Sequence, residues 1–420
     1  MKPHRRVFVV GGAHSAYLGK ARPDFVTHRQ SQATGERNPT LQEHMGTAVR
    51  AAFELTGADP AAVDKGYVSN FLGECFVRQG HLGAMLAGVD PALEGKPFAR
   101  IEAACASGGA SIAACIDAMQ AGCDVTLVAG VEVETNVPGS EGVDHMALAA
   151  HWETQRSLSR FVFPHLFGRR ARAWKERFGG TAEDLARVSA KAYANARKNP
   201  LALHVSSDIS LEFANEPSKA NFLFLEDPEL HEHMRLTDCT AFTDGASAVI
   251  LATEDGLRRL GIAESDCTEI LGYGHSVRAL GAETDPTELH NVAAAAAVAY
   301  RDSGLSADDV DFAEVHDCFS VTEAQHYAAL GFCAPEDAPA FIRDGAAAMD
   351  GRTPVNTGGG LIGMGHPIGA TGVKQAVEVW RQMTGRCGDY QLPELPRVGI
   401  TSNLGGDDRT GIVMLHRNCG

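Results

Sequence analysis

The chain has 420 residues, a formal net charge of −16, 44% hydrophobic and 21% charged residues, which allows a large core and two or three domain-sized units. Its acidic balance argues against nucleic acid or an anionic membrane as the main partner, and no 18-residue apolar run offers a membrane span. Ten cysteines lie scattered without CxxC pairs, so no disulfide framework or metal site is expected, and a reducing, cytoplasmic location fits them.

In chain order, Val7–Gly11 reads as a strand and Leu41–Thr56 as an amphipathic helix. Gly57–Phe71 reads as a turn, a short helix start and a second strand. The segment Ile101–Glu134, IEAACASGGASIAACIDAMQAGCDVTLVAGVEVE, then sets Cys105 at a strand-to-helix junction of small residues. A helix N-terminus presents free N–H groups and a positive dipole end, so it favours a thiolate there. The Cys105 helix spans Ser111–Gln120 in this reading, and Asp124–Val133 follows as an apolar strand. Between Glu134 and Asp244 the composition changes: the basic run GRRARAWK and the helical TAEDLARVSAKAYANARKNP mark a long insert, which is usually functional. DGASAVIL (Asp244–Leu251) re-enters a buried strand.

The second half echoes the first. Gly57, Val63, Asp64 and Val68 meet Gly304, Val310, Asp311 and Val315 at one constant spacing, each after a helical segment. The Cys105 strand–turn–helix has its counterpart in GHPIGATGVKQAVEVWRQMTG (Gly365–Gly385), followed by the strand RVGITSN. Cys105 and His366 therefore stand at equivalent helix starts of two related halves. A duplicated unit of this kind implies mixed sheets packed through shared helices.

Three further motifs join Cys105: VHDCFS (Val315–Ser320), NTGGGLIGMGHPIGATG (Asn356–Gly372) and SNLGGDD (Ser402–Asp408). Together with DGASA at Asp244–Ala248 they resemble the thiolase family along essentially the whole chain. The resemblance implies an α/β thiolase fold, two repeated β-α-β-α-β-α-β-β halves in a layered αβαβα sandwich with an inserted loop domain. Residues 1–133 plus 245–265 would form the N-terminal half, 134–244 the insert that binds coenzyme A and substrate, and 266–420 the C-terminal half. Within the family the HDCF box resembles the sterol-carrier-protein-type and archaeal-type thiolases. Most thiolases carry a second catalytic cysteine near the C-terminus. Here Asn403 stands at that place, and the resemblance implies that Cys318 of the HDCF box supplies the missing thiol.

The implied activity is acyl-CoA C-acyl transfer: condensation of acetyl-CoA, or thiolytic cleavage of a 3-ketoacyl-CoA, through an acyl group on Cys105. His366 would be its base, because a free thiol titrating near ~8.5 needs an imidazole to activate it. Cys318 would move the α-proton of acetyl-CoA. His316 would steady the enolate directly or through a water, and backbone N–H groups of Cys105 and Gly405 would form an oxyanion hole. Coenzyme A enters as substrate, with no permanently bound cofactor. Its phosphates call for cations, for which Arg169, Arg170, Arg172, Lys175 and Arg235 are candidates, and Ser247 matches a position near the pantetheine arm. Met146, Leu148, Phe161 and Phe163 are candidates for the acyl pocket. Expected partners are acyl-CoA substrates and a second copy of the chain, as a homodimer or dimer of dimers pairing through Asp124–Val133, which lies at the sheet edge in related thiolases. The reading also admits a small accessory protein. A related CoA-dependent condensing enzyme, a partner-dependent acyltransferase or aldolase, and a non-catalytic acyl-CoA- or lipid-binding module are the alternatives. The joint presence of Cys105, His316, Cys318 and His366 argues against the last.

Overall fold

The computed structural model describes residues 1–420. Its strands are β1 (Phe8–His14), β2 (Lys65–Ser69), β3 (Phe98–Ile101), β4 (Val125–Glu132), β5 (Gly245–Ala252), β6 (Thr268–Val277), β7 (Phe312–Glu314), β8 (Val398–Gly405) and β9 (Thr410–Asn418). They run in the spatial order β3-β2-β4-β5-β1-β6-β9-β8-β7. Only two residue pairs, Phe8 with Glu269 and Val9 with Thr268, join the first five strands to the last four. On either side of that seam the pattern repeats. β2 runs parallel to β4, which is antiparallel to β5; β7 runs parallel to β8, which is antiparallel to β9. β3 has no full counterpart, and an isolated parallel bridge from Ala313 to Val355 takes its place.

β4 and β5 are buried along their whole lengths, as expected of apolar runs covered on both faces. Helix Leu41–Thr56 packs on the outer side of the first sheet with Phe8, Val10, Leu127 and Ile250. The inner faces of both sheets sandwich helices Ser107–Gln120 and Ile368–Met383 through Val128, Val249, Ile412 and Met414. Helix His290–Ser303 covers the far side, against Ile400, Val413 and Leu415. These are the five αβαβα layers. Every residue of Ile368–Met383 except Arg381 is buried, the signature of a helix with protein on all sides.

Glycine sets how close the two central helices come. A Cβ on Gly108 would lie 2.6 Å from the Cα of Gly372, and one on Gly372 would lie 2.4 Å from the backbone nitrogen of Gly109. Neither contact is tolerable, so the Gly108-Gly109 and Gly372 positions let backbone touch backbone. The small residues after Cys105 therefore serve helix packing. That contact brings the N-termini of the two equivalent helices together.

One expectation is overturned. The strand after the Cys105 helix is not at an edge: β4 lies between β2 and β5, and the open edge of the first sheet belongs to β3. No helix is long and apolar enough to cross a membrane.

Candidate active site

Cys105 sits in a tight turn ahead of its helix. Ala104 holds φ at +49°, a left-handed conformation that costs a non-glycine residue of order 1–3 kcal/mol and is concentrated at functional sites. The Ser107 hydroxyl pins the turn, accepting from the Ala103 N–H at 2.8 Å and donating to the Ala104 carbonyl. The thiol receives backbone N–H groups of Gly406 and of Cys105 itself. The expected donor, Gly405, lies one residue short of this contact. Its place is a packing one, since a Cβ there would lie 2.6 Å from the Ala103 carbonyl oxygen.

His366 precedes the second central helix. Its Nδ1 lies 2.6 Å from the Thr371 hydroxyl, which itself donates to the Pro367 carbonyl. The hydroxyl therefore accepts from Nδ1–H, and Nε2 keeps its lone pair. Two buried carboxylates fix the start of this helix: Glu134 accepts from Ile368 N–H and Thr243 N–H, and Glu132 from Gly369 N–H. Pro367 offers no side-chain cap, so these acids replace one.

The HDCF box follows β7. His316 is fully buried, its ring is edge-on to that of His366 with centroids 5.0 Å apart, and neither of its nitrogens has a protein partner. Reactive atoms of Cys105, His316 and His366 all lie within 4.8 Å of one another. A Cys-His-His set of this kind would also suit a zinc ion by donor type. Asp317 turns away and accepts from the N–H groups of Leu361 and Ile362, bracing the glycine loop. Asn356, at φ +58°, ties that loop to Val315 and Glu323.

A cavity of about 520 Å³ opens onto Cys105, Cys318, His366 and Gly406. Burial pushes the Cys105 thiol up to about 12 and the His366 imidazole down to about 3. It likewise drives Cys318 well above, and His316 well below, their ordinary values. The pair therefore rests as neutral thiol and neutral imidazole. The dipole-stabilised thiolate expected from the helix start is outweighed by loss of water.

Comparison with known proteins gives the family. Residues 26–255 match the thiolase N-terminal domain and residues 272–416 the thiolase C-terminal domain-like unit. The chain belongs to the thiolase family. An acetyl-CoA acetyltransferase of Methanothermobacter thermautotrophicus is 34% identical over 366 residues, 86% of this chain and 90% of that one. Benzoylsuccinyl-CoA thiolase subunit BbsB of Thauera aromatica is 28% identical across 97% of both chains. Among solved structures, an Ltp2-ChsH2(DUF35) aldolase gives a TM-score of 0.77 at 21% identity, covering 100% of this chain and 99% of that one. Human mitochondrial 3-ketoacyl-CoA thiolase in complex with CoA gives 0.69 at 16% identity over 100% of each. This thiolase is accordingly an acyltransferase, built on the duplicated fold.

Several residues singled out for coenzyme A stand elsewhere. Ser247 is buried between the Tyr17 hydroxyl, at 2.6 Å, and His14 Nδ1, at 2.8 Å. Arg235 is buried in an ion pair with Asp238, and Arg170 in one with Asp407. None of the three faces the cavity. Arg169 is exposed and Arg172 is paired with Glu176 and Glu229. Both lie across their helix from Phe163 and Phe167, the residues that do line the cavity. Lys175 is absent from the lining too. The cation at the cavity is Lys20, which no motif flagged. Of the pocket candidates, Met146, Phe161 and Phe163 line it, whereas Leu148 does not and is 42% exposed. Asn403 lies outside the cavity, wedged beside Gly109 and Gly372 and donating to Gln375.

Proposed function

We propose that this thiolase cleaves or forms 3-ketoacyl-CoA through an acyl group carried on Cys105. The observation that carries the reading is the convergence of Cys105, His316 and His366 within 4.8 Å beside a cavity that Cys105, His366 and Cys318 line. In the cleavage direction, Cys105 Sγ attacks the 3-keto carbon while its proton passes to His366 Nε2. The developing oxyanion meets the N–H groups of Cys105 and Gly406, and no water reorganises to stabilise it. The Cα–Cβ bond then breaks, its electron pair forming the enolate of acetyl-CoA, steadied by a ring N–H of His316. Cys318 gives its proton to the enolate carbon. Incoming coenzyme A then protonates Cys318, its sulfur takes the acyl group, and His366 returns the proton to Cys105. Thiols that rest neutral suit this direction, since cleavage starts from a protonated Cys318; condensation is the same path reversed.

Cys318 in this role, with Asn403 at the usual C-terminal thiol position, supports assignment to the HDCF-box thiolases. Ten free cysteines support a reducing, cytoplasmic setting. A homodimer would form along the open edge of β3, where unpaired N–H and C=O groups invite a second copy. The names of BbsB, a subunit, and of the Ltp2-ChsH2(DUF35) complex support testing for a small accessory partner. The test of the central reading is thiolysis of a 3-ketoacyl-CoA by the purified chain and its Cys105→Ala variant. Turnover by the variant within tenfold of wild type would show that Cys105 is not the nucleophile.

A further inference from the structure

Eight of the 29 residues that line the cavity are phenylalanines, and Cys105 lies among them, so an acyl group carried on that thiol meets aromatic rings. Around the thiol stand Phe71, Met146, Ala149, Phe163 and Ile368. Beyond them the rings continue in two runs. Phe163 stacks on Phe167 at 6.5 Å and Phe167 on Phe319 at 4.4 Å, next to Cys318. Phe161 meets Phe224 edge-on at 5.3 Å, and Phe224 meets Phe222 at 6.0 Å, Phe222 being half exposed. Polar lining outside the catalytic groups amounts to Lys20, Glu134, Thr135 and Thr240. Glu134 already receives a backbone N–H on each oxygen.

The acyl group therefore finds flat apolar walls and almost no hydrogen-bond partners. The cavity, about 520 Å³ and in the range that encloses whole drug-sized ligands, receives the pantetheine arm of the thioester as well as the acyl group, so selection among acyl groups rests on the chemistry of its walls. A polar acyl chain would lose its water contacts without replacement. An aromatic ring, in contrast, adds to an existing array whose centroid spacings already match those of stacked and edge-to-face pairs. Resting on the acyl-transfer reading above, we propose that the preferred substrate is a 3-ketoacyl-CoA bearing an aromatic ring on its acyl chain, with Phe163 and Phe167 as the residues that select it.

The test compares kcat/KM in thiolysis for acetoacetyl-CoA, a phenyl-terminated 3-ketoacyl-CoA and the straight-chain 3-ketoacyl-CoA of equal carbon number. The phenyl substrate should exceed both by at least ~10-fold, the low end of what a hydrophobic pocket discriminates. Phe163→Leu, which keeps apolar bulk and removes the ring, should lower the phenyl-to-straight-chain ratio several-fold; Phe167→Leu checks the same ratio should the first variant fold poorly. Equal or better use of acetoacetyl-CoA, or a straight-chain preference, overturns the proposal. Calorimetric binding of phenylpropanoyl-CoA, nonanoyl-CoA and acetyl-CoA to the Cys105→Ala protein separates the two readings. Tighter phenylpropanoyl-CoA binding without turnover of any substrate by wild type would sink the acyl-transfer reading and leave the pocket proposal standing. Indifferent binding would sink the pocket proposal whatever the turnover.

Discussion

Thr371→Val removes one hydroxyl of nearly constant shape from the buried start of the second central helix, and it acts on catalysis only through His366. The Thr371 oxygen accepts the Nδ1–H bond at 2.6 Å, which directs the Nε2 lone pair to Cys105. When Nε2 takes the thiol proton, that bond becomes one from a charged donor, worth about 1.5–3 kcal/mol against about 0.5–1.5 for the neutral bond. The difference, roughly 1–1.5 kcal/mol, belongs to the charge-separated state alone and equals about tenfold in rate at 1.36 kcal/mol per decade. Loss of tautomer control adds to it, bounded by the ~10²–10⁴-fold that a general base contributes altogether. Single-turnover acylation of the variant, followed by rapid quench and mass spectrometry, should therefore slow by about 10–100-fold, with KM moving less than about threefold. Acylation within twofold of wild type, in a variant whose melting curve is normal, would refute the argument that Thr371 sets the state of His366.

Four other outcomes follow from the same geometry. Cys318→Ala should still accept an acyl group on Cys105, while exchange of acetyl-CoA methyl hydrogens with solvent drops by at least ~10²-fold; proton NMR in heavy water decides it, and the opposite ranking against Asn403→Ala would discard the HDCF assignment. Burial holds His366 down at about 3 and Cys105 up at about 12, so the carbon-13 NMR shift of the His366 ring should stay that of neutral imidazole from pH 5 to 9; a change to the imidazolium shift near ~6.5 would mean a solvated ring. Gly108→Ala should lose about 1–3 kcal/mol or more in urea unfolding, whereas Gly139→Ala, with open space at its Cβ position, should stay near wild type. Light scattering should find at least a dimer at micromolar concentration, and a charge or proline on the β3 edge should shift it toward monomer; a stable wild-type monomer would exclude that interface.

The duplicated fold was legible because its signals are local. The apolar runs of β4 and β5 and the glycine turns each need only a short window of sequence, and the echo from Gly57 to Gly304 repeats one such window at a fixed spacing. Cys105 and His366 could be paired from the residues alone because both stand at equivalent helix starts, and the fold brings their reactive atoms together. What depends on long-range packing was not legible. Arg235, Arg170 and Ser247 are polar residues in suggestive places, yet Asp238, Asp407 and the Tyr17–His14 pair, which bury them, could not be read from spacing. The ionisation state is of the same kind. A helix N-terminus is visible in sequence, but the loss of water that outweighs its dipole at Cys105 is a property of the closed site. Thr371, Glu132, Glu134 and Asp317, which hold the catalytic groups in place, carried no signal beyond their neighbourhood. Thr371 and Asp317 were within reach, the first five residues after His366 in the GHPIGATG motif and the second inside the HDCF box.

The most direct measurement is peptide mass spectrometry after brief incubation of the protein with a 3-ketoacyl-CoA, or with acetyl-CoA, and acid quench. One added acyl group should appear on the peptide carrying Cys105, absent in Cys105→Ala and removed on adding free coenzyme A. An acyl group on Cys318 or Cys239 instead, or turnover with no acyl group on any cysteine, would contradict the Cys105 acyl-enzyme.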